Sequence, residues 1–406
     1  MTVNAKQNIE KQKYLGKTGM IIFITLANMF IPLSTDLYLP ALPTMSTYFG
    51  VSTTLTNLTL VSFFFFFAVG TLFWGPMSDK YGRKKVLIIG STLYVAASAI
   101  CALSFTVYMM IAARVVQGIG AGAIIAVSTA LIKDCFSGEQ RTTILALVQS
   151  VAGIAPMIAP VLGAILLVFT DWRGSFVVLT IAGILCLLLS LLYQETLSGE
   201  ERYEGSIGGS LGRLVTVGKN IGFIVPCMIF SLYNLSFMGY IALSSYIYVD
   251  FFGLTEQVYS YFFAANAALS MIGPMLYVRF MTGFNKKKFA MTCFTIYALC
   301  GIFLILLGEK APVLFWLGFA PFSLAGTISR PFGTNIMLDQ QSGDTGSASS
   351  LINGISTIFG SIGMVCASMW SNIVGGLGIM ICTTGVVSII GWTLLMRSAV
   401  PCRGVK

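Results

Sequence analysis

The 406-residue chain contains no histidine, and only 10% of its residues are Asp, Glu, Lys or Arg. An ordinary soluble domain carries about 25% charge. Without histidine, no His-based catalytic set can be assembled, and no span or loop gathers a Cys/Asp cluster. The nine cysteines are scattered, with no Cys-x-x-Cys pair. They offer neither a zinc site nor a disulfide framework, so no metal is expected and they read as small apolar helix residues. A phosphate-binding loop is missing too. Gly16-Lys17-Thr18 ends like one, but the glycine required five residues earlier is Lys11, which removes an ATP-driven machine. No A-x-A-like site closes the first apolar run, which is too long for a signal-peptide core, so it is expected to stay as a membrane helix. No enzyme and no cofactor are expected.

What is present is apolar length. The chain is 56% hydrophobic, with a mean hydropathy of +0.86. Crossing a bilayer takes about 20 apolar residues, and twelve stretches qualify. They are roughly 18–42, 54–77, 84–104, 107–132, 140–168, 173–193, 220–249, 256–280, 287–307, 311–337, 346–372 and 375–397, called spans 1 to 12 below. Backbone groups in lipid must be satisfied internally, so these runs are helices. The short alternating strands of a β-barrel are absent. An all-α polytopic membrane protein with twelve transmembrane helices follows.

The net charge of +9 invites a nucleic-acid reading, but the placement of Lys and Arg argues otherwise. With the N-terminus inside, twenty of the 24 basic residues fall on the cytoplasmic side: before span 1, in loops 2–3, 4–5, 6–7 and 8–9, and after span 12. Only Arg173 and Lys310 lie in external loops, and Arg114 and Arg330 lie within spans. Both termini are therefore expected in the cytoplasm, and no nucleic acid is expected as a partner. Residues 195–219 hold Glu195, Glu200, Glu201, Arg202, Glu204 and several glycines, the composition of a linker. It separates a six-helix half at 1–194 from one at 220–406. Gly75-Pro76-Met77 closes span 2, and Gly273-Pro274-Met275 closes span 8 at an offset of 198 residues, each followed by a basic cluster. Two pseudo-symmetric halves from a parallel repeat are expected.

Four stretches carry a resemblance. Gly75-Pro-Met-Ser-Asp79-Lys-Tyr-Gly82-Arg83-Lys-Lys85 resembles the loop 2–3 signature of the major facilitator superfamily. That resemblance implies a latch in which Asp79 pairs with basic residues and a helix N-terminus. Arg114-Val-Val-Gln117-Gly118-Ile-Gly120-Ala-Gly122 in span 4 resembles the family's intramembrane arginine motif. Gln117, three residues on, shares the face of Arg114. Gly153-Ile-Ala-Pro156-Met-Ile-Ala-Pro160-Val-Leu-Gly163 in span 5 resembles the antiporter motif of proton-coupled exporters, with Ala155 in place of a glycine. A kinked packing helix would need the same residue types. Asp36-Leu-Tyr38-Leu-Pro40-Ala-Leu-Pro43 is similar to the span 1 signature of the bicyclomycin and chloramphenicol resistance exporters. Similar stretches occur at Asp171–Phe176, Tyr240–Leu254 and Gly346–Leu351. The resemblance implies the major facilitator fold, with spans 1, 4, 7 and 10 around a central cavity.

A charge inside a span is a functional-site hypothesis by default, and Asp36 has no basic neighbour within fifteen residues. Asp36 and Arg114 both lie roughly 10 Å of helix below the same membrane face, so they are expected to meet the same space. Burial and a nearby cation act on a carboxylate in opposite directions, so Asp36 could take up and release a proton, or pair with a cationic drug. The alternative is a satisfied Asp–Arg pair that fixes span 1 against span 4. The position 198 residues after Asp36 is Asn234. Tyr233, Phe237, Tyr240 and Ser244 fall at helical spacing beside it, a face suited to a flat ligand or to packing. Arg330 is either a second cavity charge or a residue snorkelling toward the cytoplasm, with its depth favouring snorkelling. Phe63 to Phe67 cover every side of span 2 and read as lipid and packing surface. The cavity-facing spans look mainly apolar.

These readings imply a monomeric, multi-pass protein of the bacterial cytoplasmic (inner) membrane, exporting small hydrophobic drugs in exchange for protons. Proton coupling is assigned to Asp36 and Arg114. Substrate contact is assigned to Gln117, Tyr233, Asn234, Phe237, Tyr240 and Ser244. The latch comprises Gly75, Asp79, Gly82 and Arg83, and the antiporter motif Gly153, Pro156, Pro160 and Gly163. The rival is a transporter of one metabolite, such as a sugar or amino acid, which a cavity rich in Asn, Gln and charge would favour.

Overall fold

The computed structural model describes residues 12–197, 207–281, 283–340 and 345–398, with Ile9, Arg202, Val400, Cys402 and Val405 as isolated positions. Glu200, Glu201 and Glu204 of the expected linker lie outside the described residues. Among these the chain is helical with no strand, and twelve helices are long and apolar enough to cross a membrane. They are Gly16–Phe49, Thr53–Tyr81, Arg83–Ala102, Val107–Cys135, Thr143–Phe169 and Arg173–Leu192, then Ile221–Phe251, Glu256–Met281, Lys286–Leu307, Pro312–Asp339, Ala348–Ser368 and Ile373–Arg397. Their starts follow local chemistry. Ser52, Thr106, Thr255, Asn285 and Asn372 each accept a hydrogen bond from the backbone N–H three residues on, satisfying a donor that the helix leaves open. Pro312 opens span 10, where its missing N–H costs nothing.

Span 1 departs from expectation. The apolar run was expected to end at residue 42, at the prolines. Instead the helix Gly16–Asp36 stops, Leu39–Ala41 makes one 3₁₀ turn, and a second helix runs Leu42–Phe49. Pro40 has no N–H to continue the ladder, whereas Pro43 sits in the first turn of the new helix, where none is required. Asp36 is thus the last residue of a broken helix and not a residue within a continuous one.

Packing divides the chain into two compact units, Met1–Ile207 and Gly208–Lys406. In the first, span 1 packs on span 5, span 2 on span 4, and span 3 on spans 4 and 6. In the second, span 7 packs on span 11, span 8 on span 10, and span 9 on spans 10 and 12. The four principal pairings repeat when six is added to each span number. One atomic contact repeats as well. The space where Gly163 lacks a Cβ is filled by the carbonyl of Leu37, and the space at Gly363 by the carbonyl of Leu235. Leu37 and Leu235 are 198 residues apart, the offset of the Gly-Pro-Met repeat.

Outward faces are apolar, as lipid requires: Ile22, Phe65, Phe73, Leu188 and Leu306 are exposed. Phe63 is fully buried while Phe65 is 40% exposed, so the phenylalanine run divides between packing and lipid. Phe63 has a further contact, described next.

Candidate functional site

The break in span 1 leaves its last carbonyls without intrahelical donors. Two side chains supply them. Arg114 Nη1 donates to the Ser34 carbonyl at 3.0 Å, and Ser175 Oγ donates to the Leu37 carbonyl at 3.4 Å. Arg114 also donates through Nε to the Thr59 carbonyl at 3.0 Å and through Nη1 to Gln117 Oε1 at 2.5 Å. Gln117 Nε2 in turn donates to Ser98 Oγ at 2.7 Å. The guanidinium carbon lies 4.2 Å from the Phe63 ring centre and 4.9 Å from that of Tyr38. Arg114 is 0% exposed. Carbonyl dipoles and ring faces therefore stabilise its charge, at distances where cation–π attraction is appreciable.

The Asp36–Arg114 ion pair of the alternative reading is not formed. The ion pairs among the described residues are Arg83–Asp79, Arg83–Asp134 and Arg173–Asp171, and no carboxylate lies within 4 Å of Arg114. Carbonyl acceptors at the break occupy the guanidinium in place of a carboxylate. Arg114 does not face a water-filled space here, because aromatic rings seal it. Gln117, expected to touch substrate, instead holds Arg114 and is also fully buried. Asp36 accepts one hydrogen bond, from Thr35 Oγ1 at 2.9 Å, and is 7% exposed. A carboxylate at a helix C-terminus meets the negative end of the helix dipole. Neither the dipole nor a cation supports it here.

The antiporter-type stretch reaches the same place. Span 5 runs as one helix through Pro156 and Pro160, with Ala155 and Ala159 buried. Because Gly163 has no side chain, span 5 rests directly on the Leu37 carbonyl, one residue after Asp36. Residues 34 to 37 thus touch span 4 through Arg114, span 5 through Gly163 and span 6 through Ser175. Gly118 and Gly122, one helical turn apart, let span 4 lie against the backbone of span 2 at Phe63 and Gly70.

A second cluster lies where spans 2 and 3 meet. Gly82 takes a φ of 101°, which L residues rarely adopt, to reverse the chain between the two helices. Arg83 pairs with Asp79 at 2.5 Å and with Asp134 of span 4 at 3.1 Å, and donates to Ser78 Oγ at 2.6 Å. Ser78 Oγ donates to the Gly75 carbonyl at 2.8 Å. The helix N-terminus in this cluster is held by Glu195, not by Asp79: its carboxylate accepts from the N–H groups of Arg83 and Lys84 at 3.1 and 3.0 Å. Asp134 and Glu195 were not singled out from the sequence. Asp134 is a lone acid at the end of span 4 and Glu195 was read only as a linker acid, and only the fold brings each to Arg83.

In the second unit the aromatic face of span 7 divides. Tyr240 stacks on Phe319 with ring centres 3.8 Å apart. Ser244 Oγ is 2.9 Å from the Tyr259 hydroxyl. Both are buried packing residues. Phe237 stacks against Tyr233 at 5.3 Å. Tyr233 and Asn234 line a cavity of about 170 Å³ walled by spans 7, 10 and 11. Its other polar lining includes Ser231, Arg330, Thr334, Asn353 and Ser356. The lining is mixed, with several polar groups beside an apolar surface that is still the larger share. Arg330 stands in its wall, about 13 Å of helix from the nearer end of span 10, so the cavity alternative has a structural feature behind it. The missed residues had a signal. Ser231 and Asn234, Arg330 and Thr334, and Asn353 and Ser356 each recur at three- or four-residue spacing, a polar stripe on otherwise apolar helices.

The sequence profile of the Major Facilitator Superfamily matches residues 24–364. An uncharacterized MFS-type transporter of Bacillus subtilis, YdgK, is 29% identical over 86% of this chain and 88% of its own length. A bicyclomycin resistance protein homolog of Haemophilus influenzae is 28% identical over 87% of this chain and 90% of its own. The multidrug resistance protein MdtL of Klebsiella pneumoniae is 26% identical over 91% of this chain and 92% of its own. Among solved structures, a D-xylose-proton symporter superposes with a TM-score of 0.73 at 16% identity, covering 95% of this chain and 98% of its own, a likeness of fold.

Proposed function

The chain belongs to the Major Facilitator Superfamily, and from that premise we propose that it exports hydrophobic drugs in exchange for protons, with Asp36 as the proton-binding group. As a member of that family it is a multi-pass membrane transporter and not an enzyme. The drug reading draws on the relatives named for bicyclomycin and multidrug resistance. The observation that carries the coupling is the position of Asp36 at the break of span 1, one residue before the carbonyl on which Gly163 rests.

In this proposal a proton or a cationic drug competes for one carboxylate, and the occupant sets the geometry of the break. A neutral acid can donate a hydrogen bond toward the open carbonyls at the helix end, whereas an ionised one can only accept. Span 5 would feel that change through Gly163, and span 4 through the Arg114–Ser34 bond. Arg114 acts as a fixed cation that positions the break. The Arg83 cluster with Gly75, Asp79 and Gly82 serves as a latch that biases one conformer. The transmembrane potential supplies about 2.3 kcal/mol per charge per 100 mV to such an exchange. The cellular setting proposed is a bacterial cytoplasmic membrane, with both termini in the cytoplasm and the chain acting as a monomer.

The polar cavity of the second unit favours a second reading, transport of a polar metabolite. One assay separates the two. Acidified inverted vesicles carrying a pH dye receive a panel of cationic and neutral drugs, with the native chain or Asp36→Asn. Drug-driven proton release by the native chain alone is the expected result. Equal responses from both chains would make Asp36 structural. No response to any drug by a folded native chain would move the metabolite reading ahead.

A further inference from the structure

We infer that the cavity between spans 7, 10 and 11 binds the carboxylate end of a planar anionic or zwitterionic ligand, with Arg330 as its counter-ion. Arg330 lines this cavity and is exposed, and among the described residues it makes no ion pair and no hydrogen bond. No lining residue is acidic. A guanidinium is charged at every accessible pH, and its fork of donors matches a carboxylate. A charge kept within a span and given no protein partner is by default a functional-site candidate, here one whose partner arrives. Arg114 shows the contrast: there the chain supplies acceptors to Nε and Nη1 and aromatic faces to the guanidinium.

The surroundings fit the same ligand. Asn234 and Asn353 offer amide donors, and Ser231 Oγ lies 3.1 Å from Ser356 Oγ, a hydroxyl pair on the cavity wall. Tyr233 lends an aromatic surface to a flat ring. At about 170 Å³ the cavity is smaller than the roughly 300–1,000 Å³ of a drug-sized site. It takes the charged end and an adjacent ring, not a whole large drug. The repeat adds a reason for the sign. Position 234 corresponds to Asp36, but holds an amide. An aspartate there would neutralise Arg330, whereas asparagine leaves the charge for the ligand.

This ligand chemistry rests on the transport reading above and extends it, so binding and transport are measured separately. Calorimetry on the purified full chain in detergent would compare 2-naphthoate, 2-naphthamide and 2-naphthylmethylammonium. The native chain is expected to prefer the naphthoate over the amide by on the order of 10- to 100-fold, as hydrogen bonds to a charged group imply. Arg330→Gln and Asn234→Asp should each abolish that preference, and Arg330→Lys should keep part of it. A melting curve for each variant reports its fold. The proposal is overturned if the native chain binds none of the three, if it binds acid and amide alike, or if the preference survives in folded Arg330→Gln. A clear naphthoate preference with no drug-driven proton release would sink the exporter reading and leave this site standing. Proton release by drugs without any naphthoate preference would do the reverse.

Discussion

Each unit carries one arginine within its fourth span, and the two are treated in opposite ways. Arg114 is sealed, with the Ser34 and Thr59 carbonyls and Gln117 as acceptors and aromatic rings against its faces. Arg330 stands in a cavity wall with no partner among the described residues. A buried charge whose acceptors all come from the protein is a structural joint. A charge left without acceptors is a place for something else to bind. The difference begins with the chain around each residue. Pro40 breaks span 1 and opens carbonyls toward Arg114, whereas polar residues at helical spacing leave room beside Arg330.

That comparison can be broken most forcefully at Arg114. Arg114→Ala leaves the Ser34 and Thr59 carbonyls and Gln117 without a donor, at about 1–3 kcal/mol for each unsatisfied group. Thermal unfolding in detergent should show a large loss of stability or no folded protein, while Arg330→Ala should melt close to the native chain. Equal melting of the two variants would remove the distinction. A smaller effect is expected from the paired glycines. A Cβ at Gly163 or Gly363 would overlap the Leu37 or Leu235 carbonyl, and overpacking of this kind costs about 1–3 kcal/mol. Both alanine variants should melt lower, but only Gly163→Ala should also impair drug-driven proton release, because it lies against the residue next to Asp36. Loss of coupling from both would spread the function over the two units. The smallest effect is expected at Glu195→Gln. It keeps one acceptor oxygen, for one of the Arg83 and Lys84 N–H groups, sets an amide NH2 against the other, and loses the charge at a helix N-terminus, together about 1–2 kcal/mol. Its melting curve should shift by a few degrees at most, with proton release unchanged.

The twelve helices were readable because hydropathy over a bilayer's thickness is a property of local sequence. Their ends were less readable. Residues 43–49 lie beyond the apolar run read as span 1, although Pro43 stands in the first turn of a further helix there. Asp36 and Arg114 drew attention as charges in apolar runs, and both lie at the break, but as neighbours that do not pair. The repeat offset that matches Asp36 to Asn234 also matches Leu37 to Leu235, whose carbonyls make the same contact in the two units. Tyr240 and Ser244 shared a helical face with Tyr233, yet only Tyr233 reaches the cavity. Spacing assigns a face but not the neighbour that covers it, and here Phe319 and Tyr259 cover the other two. Arg330 was visible as a charge within a span, and the fold adds that it lines the cavity.

By itself the sequence determined that the chain crosses a membrane twelve times, because unpaired backbone in lipid allows no other form for such runs. It did not mark the break after Asp36, since Pro32, Pro156 and Pro160 sit inside continuous helices. Tertiary structure alone decided which charges find partners. The Arg83–Asp134 pair, the Glu195 cap and the Arg114 bonds join residues 51, 112 and 55 to 80 positions apart. No local pattern encodes such a meeting, because it depends on how closely glycine-lined helices approach and which side chains then fill the remaining space.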